Sequence, residues 1–132
     1  MFLFLLSLGT GFSARAQKSP PQTVVTAFSQ KFPGVKDVDW SKEKNGEWEA
    51  EFEQGDVEIS ANFNADGTWL ETETELKPTD LPAPVQTALK GKKVKEAARI
   101  QRADGTTVYE AEVKHKDLIF DAAGNLLSEV KD

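Results

Sequence analysis

Glutamate occupies every second position of Glu47-Trp48-Glu49-Ala50-Glu51-Phe52-Glu53, and acidic residues recur at Glu58, Glu71, Glu73, Glu110 and Glu112. Two carboxyls that face each other in a concave site can divide general-acid and general-base work, provided their environments push their pKa values apart. A row of carboxylates on a solvated strand supplies no such difference by itself. It supplies a different chemistry, the attraction of cations and of basic protein surfaces.

The other reactive residue types are sparse. His115 is the single histidine and lies between Lys114 and Lys116, in an expected hairpin turn. General-base or metal duty would require an orienting carboxylate and shelter from water, so His115 reads as an exposed turn residue. The serines lack a nucleophile-elbow context, and no triad is visible. Asn64, Asp66, Asp121 and Asn125 bring oxygen ligands without the 12-residue loop of an EF-hand. Each sits in a β-turn around Gly67 or Gly124, where Asn and Asp are favoured. No catalytic residue, metal site or cofactor is expected.

Carboxylate rows need strands to hold them. In residues 47–53 the even positions are apolar and the odd ones acidic, the pattern of a strand with one buried and one solvated face. The pentapeptide Trp48-Glu49-Ala50-Glu51-Phe52 returns as Tyr109-Glu110-Ala111-Glu112-Val113, 61 residues later. Helical spacing repeats at the same offset: Val24, Ala27 and Phe28 align with Val85, Ala88 and Leu89. The spacing predicts one helix opening at Ser19-Pro20-Pro21-Gln22, with capping-box spacing, and ending at Pro33-Gly34. A second is predicted from Leu81-Pro82-Ala83-Pro84 to Gly91. Turn residues then delimit strands near 35–43, 47–53, 57–63 and 68–76, and near 94–102, 107–114, 117–121 and 125–130. The expected fold class is α+β, two tandem helix-plus-four-strand units at 19–77 and 80–132. The short link Lys77-Pro78-Thr79-Asp80 implies that they share one sheet or pack tightly.

Ideal hairpins fix the faces. Pairing Asn64 with Gly67 sets Ala61 opposite Leu70 and turns Trp69 outward; pairing Asp121 with Gly124 sends Leu118 and Leu127 inward and leaves Ile119 opposite Leu126 on the outer face. Pairing Glu53 with Asp56 sets Glu51 opposite Glu58, and Glu58 opposite Glu73. Like charges about 4.8 Å apart should destabilise the sheet unless a cation or a partner offsets them. The expected partner surface therefore has Trp69, Ile119 and Leu126 as anchors and Glu49, Glu51, Glu58, Glu71, Glu73, Glu110 and Glu112 as rim. Trp40, Trp48 and Tyr109 alternate in phase with the core.

Residues 1–16 read as a signal peptide, an apolar stretch from Phe2 to Phe12 followed by Ala14-Arg15-Ala16. That stretch is well short of the roughly 20 residues of a membrane span. Cleavage leaves one domain, residues 17–132, with 15 basic and 22 acidic residues and a net charge of −7. This balance disfavours nucleic acid and anionic membranes. The absence of cysteine excludes thiol catalysis, disulfides and a lipidated cysteine anchor.

Phe32-Pro33-Gly34-Val35, Val38-Asp39-Trp40, Trp48-Glu49-Ala50-Glu51-Phe52, the run Phe63–Glu73, Asp80-Leu81-Pro82 and Tyr109-Glu110-Ala111-Glu112-Val113 follow one another in an order that resembles the exported bacterial PepSY-like proteins, also described as β-lactamase-inhibitor-like. The resemblance implies helices on one side of a curved antiparallel sheet with the opposite face open. It also implies an extracytoplasmic, non-enzymatic role in binding or inhibiting another protein. The expected function is an exported binding module, periplasmic or secreted, for a protein partner with a basic surface. An acidic cation-binding envelope protein and a hydrolase with an unrecognised site are the alternatives.

Overall fold

The computed structural model describes residues 19–131. The expected signal peptide, residues 1–16, lies outside them. Helix α1, Gln22–Lys31, begins after Pro21, whose carbonyl accepts from the Val24 and Val25 N–H groups at 3.0 and 3.1 Å. No side chain caps it, so the capping box expected at Ser19 does not form. The prolines end the preceding extended segment, and the helix starts one residue beyond them. Helix α2, Ala83–Ala88, likewise follows an extended proline, Pro82.

Eight strands form one sheet: β1 (Asp39–Lys42), β2 (Trp48–Gln54), β3 (Val57–Phe63), β4 (Trp69–Leu76), β5 (Glu96–Arg102), β6 (Thr107–Val113), β7 (Lys116–Phe120) and β8 (Leu126–Lys131). Each pairs antiparallel with the next in sequence, so spatial order equals chain order. The link between β4 and β5 holds a 3₁₀ turn, Pro78–Asp80, followed by α2. Gln86 Nε2 ties that helix back by donating to the carbonyls of Thr79 (3.0 Å) and Leu81 (2.8 Å).

Both helices cover the same sheet face. Val24 and Phe28 of α1 pack on Trp48, Ala50 and Phe52 of β2 and Ile59, Ala61 and Phe63 of β3. The Phe28 ring is the hub, 5.1 Å from Phe52 and 5.3 Å from both Phe32 and Trp40, in the tilted and edge-on arrangements that aromatic quadrupoles favour. Val85 of α2 packs with Leu81, Leu89, Ala97, Ala111, Leu118 and Phe120 in a largely aliphatic second cluster. The helix periodicity and the strand alternation thus each find their buried side.

Two β-bulges correct the expected faces. Across β3 and β4 the register runs Ala61↔Thr72 and Asn62↔Glu71, then shifts to Phe63↔Trp69, leaving Leu70 as the extra residue. An extra residue reverses the alternation beyond it. Trp69 therefore turns onto the helix face, where it packs against the first core cluster; it is not an outward anchor. Across β7 and β8 the same irregularity pairs Ile119 with Ser128 and Phe120 with Leu126, leaving Leu127 extra. Leu126 is thus opposite a core residue on the helix side and is absent from the face that carries Ile119. Leu127, expected inward, is more than half exposed.

The β2–β3 hairpin is also offset, by two residues. Its turn pairs Gln54 with Val57, which sets Glu53 opposite Glu58 and Glu51 opposite Ser60. Glu73 also opposes Ser60 rather than Glu58. A shift of two keeps every side chain on its face but separates the expected Glu51–Glu58–Glu73 row with a neutral serine.

Candidate functional site

The sheet face turned away from the helices carries the acidic residues. The register places Glu49, Glu51, Glu58, Glu71, Glu73, Glu110 and Glu112 on it, as expected, together with Asp39, Glu53, Glu75, Glu96 and Asp117. Among the described strand residues its one basic side chain is Arg102, 3.9 Å from Glu71. This imbalance gives the face a strong negative potential.

Exposure varies across it. Glu51 and Glu58 are exposed, Glu49, Glu71 and Glu112 are half-buried, and Glu73 and Glu110 are buried, at 5 and 3 % exposure. The expected solvation of the whole face therefore fails at its centre. Between the buried acids lies a small apolar cluster, Ile100, Val108 and Ile119. Ile100 opposes both Glu73 and Val108; Glu110 opposes Ala98 and Ile119. Of the three expected anchors only Ile119 is here, joined by Ile100 and Val108. Val108 shares the phase of Glu110 and Glu112, a signal the sequence does carry, whereas Ile100 receives its face only from the pairing with β4 and β6.

Burial raises the pKa of these carboxyls by disfavouring the charged form. Glu110 is pushed up to about 8 by desolvation, with the neighbouring Asp117 carboxylate adding to the effect. Glu73 is raised well above the ordinary range by desolvation and then by Glu110. Glu49 is raised to about 8 by burial and by Glu43 and Glu51. Glu51 and Glu58 are raised more modestly, by burial first and then by Glu58 and Asp39 for the former and by Glu75 and Glu53 for the latter. No N–H or hydroxyl group among the described residues donates to either oxygen of Glu110 or to Oε2 of Glu73. Their close polar neighbours are other carboxyls, so a hydrogen bond between them requires one of each pair to keep its proton.

A cleft of about 670 Å³ opens at one end of this face, where the loop after α1 (Pro33–Asp37) meets Asp39, Glu51, Glu53 and Glu58. Lys36 is its one basic residue. No group of three or more His, Cys, Asp or Glu side chains among the described residues has an arrangement able to hold a metal.

The turn residues behave as turn residues. Asp66 Oδ1 accepts from the Thr68 N–H at 2.9 Å, and Asp121 Oδ1 accepts from the N–H groups of Ala123 (3.0 Å) and Asn125 (2.9 Å). The Thr68 N–H bond holds the Asp66 carboxyl below its ordinary pKa, and the Asn125 Nδ2 bond to Asp121 Oδ2 (3.0 Å), with the backbone bonds beside it, does the same for Asp121. Lys114 and His115 form the two-residue β6–β7 turn, both exposed and both with positive φ (52° and 63°).

Several crystal structures share this architecture. That of a DUF2874 family protein from Bacteroides ovatus superposes with a TM-score of 0.80 at 21 % identity, over 87 % of this chain and 89 % of that one. A protein of Bacteroides eggerthii described as one of the "putative periplasmic proteins" gives 0.79 at 17 % identity, over 86 and 90 % of the two chains. A BLIP-like protein from Bacteroides fragilis gives 0.74 at 25 % identity, over 87 and 88 %. A comparison with curated protein sequences finds no match. The profile described as "Putative beta-lactamase-inhibitor-like, PepSY-like" matches residues 46–128, which run from β2 through β7 into the first half of β8 and so take in every acidic residue of the face except Asp39 on β1. By that match the chain belongs to the PepSY-like, β-lactamase-inhibitor-like family, and its fold is shared with a BLIP-like structure.

Proposed function

We propose that this protein is an exported, non-enzymatic binding module that engages a basic surface of an extracytoplasmic protein through the sheet face opposite its helices. The observation that carries the reading is the composition of that face: Ile100, Val108 and Ile119 at its centre, surrounded by carboxylates, with Arg102 its one cation among the described strand residues. The trio is itself buried, at 2, 4 and 7 % exposure, so contact falls to the exposed carboxylates Glu51, Glu53 and Glu58 on the same face, which attract and orient a basic surface. Export is supported by the signal-like residues 1–16 and by a structural relative described as periplasmic. The inhibitor-like family description supports binding over catalysis.

The chain reads as two tandem units. Gly67 and Gly124 occupy matching turns, each against the start of its own helix, and the bulges at Leu70 and Leu127 match at the same offset.

The test is capture from the source organism's envelope fraction with three baits. Wild-type protein and a helix-face variant, Lys31→Glu, should retain the same partner. Glu51→Lys with Glu58→Lys, which leaves the core untouched, should lose it and should show a weaker salt dependence of association. Equal capture by all three would eliminate the face as the docking surface.

A further inference from the structure

We infer that Asn45 is a self-modification site, at which the backbone N–H of Gly46 deamidates the side chain and turns the Asn-Gly turn between β1 and β2 into an Asp-Gly turn. The one reactant taken from outside the chain is water.

Four turns at one end of the sheet share a single construction. In residues 43–47, 64–68, 102–106 and 121–125 the N–H of the first residue donates to the carbonyl of the fifth, and the N–H of the fourth, a glycine, donates to the carbonyl of the first. All four glycines have positive φ. The third position holds Asn45, Asp66, Asp104 and Ala123 in turn. In the first three turns the Oδ1 of that residue accepts from the N–H of the fifth: Glu47 at 3.0 Å, Thr68 at 2.9 Å and Thr106 at 2.9 Å. Asn45 is therefore an amide in a position that two sister turns give to aspartate. A carboxylate formed there finds its hydrogen bond already in place.

The step balances without an oxidant or a metal. The Gly46 nitrogen gives its proton to water or hydroxide and forms a bond to Asn45 Cγ. The tetrahedral intermediate then breaks its Cγ–Nδ2 bond, ammonia leaves, and a five-membered succinimide remains. Water opens that ring. Attack at Cγ restores the main chain and yields aspartate at position 45; attack at the main-chain carbonyl carbon breaks the peptide C–N bond and yields isoaspartate, with the chain running through the side chain. One water is consumed and one ammonia released.

The surroundings select this residue. Asn62, Asn64 and Asn125 precede Phe63, Ala65 and Leu126, whose Cβ atoms crowd the attacking nitrogen, whereas Asn45 precedes a glycine and is exposed. Attack requires the bond from the Gly46 N–H to the Glu43 carbonyl (3.0 Å) to open. Nothing lies within 4 Å of a Cβ built at Gly46, while Gly67 and Gly124 are seated on Thr23 and Pro84, so this turn opens without undocking a helix. It also closes on β1, a four-residue edge strand paired only with β2. The Glu47 N–H on Oδ1 draws electron density from the amide carbonyl and favours attack at its carbon. Asp104-Gly105 shares the open space, but bonds from the Thr106 hydroxyl (2.6 Å) and N–H (2.9 Å) hold the Asp104 carboxyl below its ordinary pKa. A carboxylate repels the nucleophile and has no neutral leaving group.

The charged groups around the turn are Glu43, Lys44 and Glu47 within it, and Lys42 and Glu49 on the flanking strands; Asn62 of β3, which donates to Glu47 Oε1 at 3.1 Å, is neutral. The rate follows proton loss from the Gly46 amide and so rises with pH. The two products differ in effect. Aspartate keeps the turn and adds one negative charge to the end that carries Asp66, Asp104 and Asp121. Isoaspartate lengthens the main chain by a methylene, breaks the paired turn bonds and loosens β1, whose Asp39 lines the cleft at the edge of the acidic face.

The experiment incubates purified protein at physiological temperature and several pH values, and samples it over days. Peptide mapping by mass spectrometry locates the exchange of amide for acid, and labelling by an isoaspartyl methyltransferase counts isoaspartate. Conversion at Asn45 to both products is expected, faster at higher pH, with Asn62, Asn64 and Asn125 intact over the same interval. Gly46→Ala, folded by circular dichroism, should slow conversion severalfold. Asn45→Asp should melt with the wild type, and amide exchange in β1 should quicken only in the isoaspartate fraction. The inference fails if Asn45 stays intact in the native protein yet converts in denaturant, if Asn64 or Asn125 converts equally fast, or if Gly46→Ala leaves the rate unchanged. A lowered melting temperature of Asn45→Asp would overturn the equivalence of the turns.

Discussion

The indole Nε1 of Trp69 donates a hydrogen bond to Thr72 Oγ1 at 2.9 Å, on the helix face of the sheet. The Lys31 ammonium of α1 lies 3.7 Å from the centroid of its ring, a cation–π contact across the same seam. Trp69 therefore fastens α1 to β4. Its truncation should act on stability: Trp69→Ala is expected to cost roughly 2–4 kcal/mol, somewhat below the range for a fully buried aromatic because the ring is half-exposed. Equilibrium denaturation measures this, and capture of the partner by the fraction that remains folded should be unchanged.

The glycines at two turns are required by contact as well as by backbone angle. A Cβ on Gly67 (φ +94°) would stand 2.7 Å from the Thr23 carbonyl oxygen, and one on Gly124 (φ +89°) 2.6 Å from that of Pro84. Thr23 Oγ1 adds a 2.7 Å hydrogen bond to the Ala65 carbonyl in the first turn. Gly67→Ala and Gly124→Ala should each destabilise by at least about 1–3 kcal/mol, since backbone strain is compounded by collision with backbone atoms. Gly46→Ala, which has positive φ but open space, should cost less; denaturant midpoints of the three variants rank them.

Stability should fall as pH rises from acid to mildly alkaline conditions. The folded-state pKa values of Glu49 and Glu110, about 8, lie above the ordinary 4.5, so between those limits the folded chain holds protons that the unfolded chain has released. The contribution is complete below about pH 4.5 and is lost as pH rises through 8. A loss on the order of 2 kcal/mol or more between pH 5 and 8 is expected, since each pH unit over which one extra proton stays bound costs about 1.4 kcal/mol. Thermal melts across this range read the slope, and Glu110→Gln should flatten it.

The β6–β7 turn can be improved. Lys114 and His115 occupy positive-φ positions that Asn and Gly fill at lower cost. Lys114→Asn with His115→Gly should stabilise by about 0.5–1 kcal/mol and leave any binding activity intact, as His115 has only a turn role. A matched pair of chemical denaturation curves decides it.

The sequence by itself determined the elements and most of the faces. Val24, Phe28 and Val85 at helical spacing, and Trp48-Glu49-Ala50-Glu51-Phe52 in strict alternation, carry their burial pattern locally, because a side chain's direction follows from the period of its own element. Family membership was legible for the same reason, in the order of turns and alternations. The tertiary structure alone decided the position of Trp69 and Leu126. A bulge is set by how two strands and a docking turn fit together, here the packing of Gly67 on Thr23 and of Gly124 on Pro84, and nothing in Thr68-Trp69-Leu70 or Asn125-Leu126-Leu127 announces an extra residue. It decided the central carboxyls as well. Glu73, Glu110 and the aliphatic trio Ile100, Val108 and Ile119 come from four strands, and their shared burial exists only once β4 to β7 stand side by side.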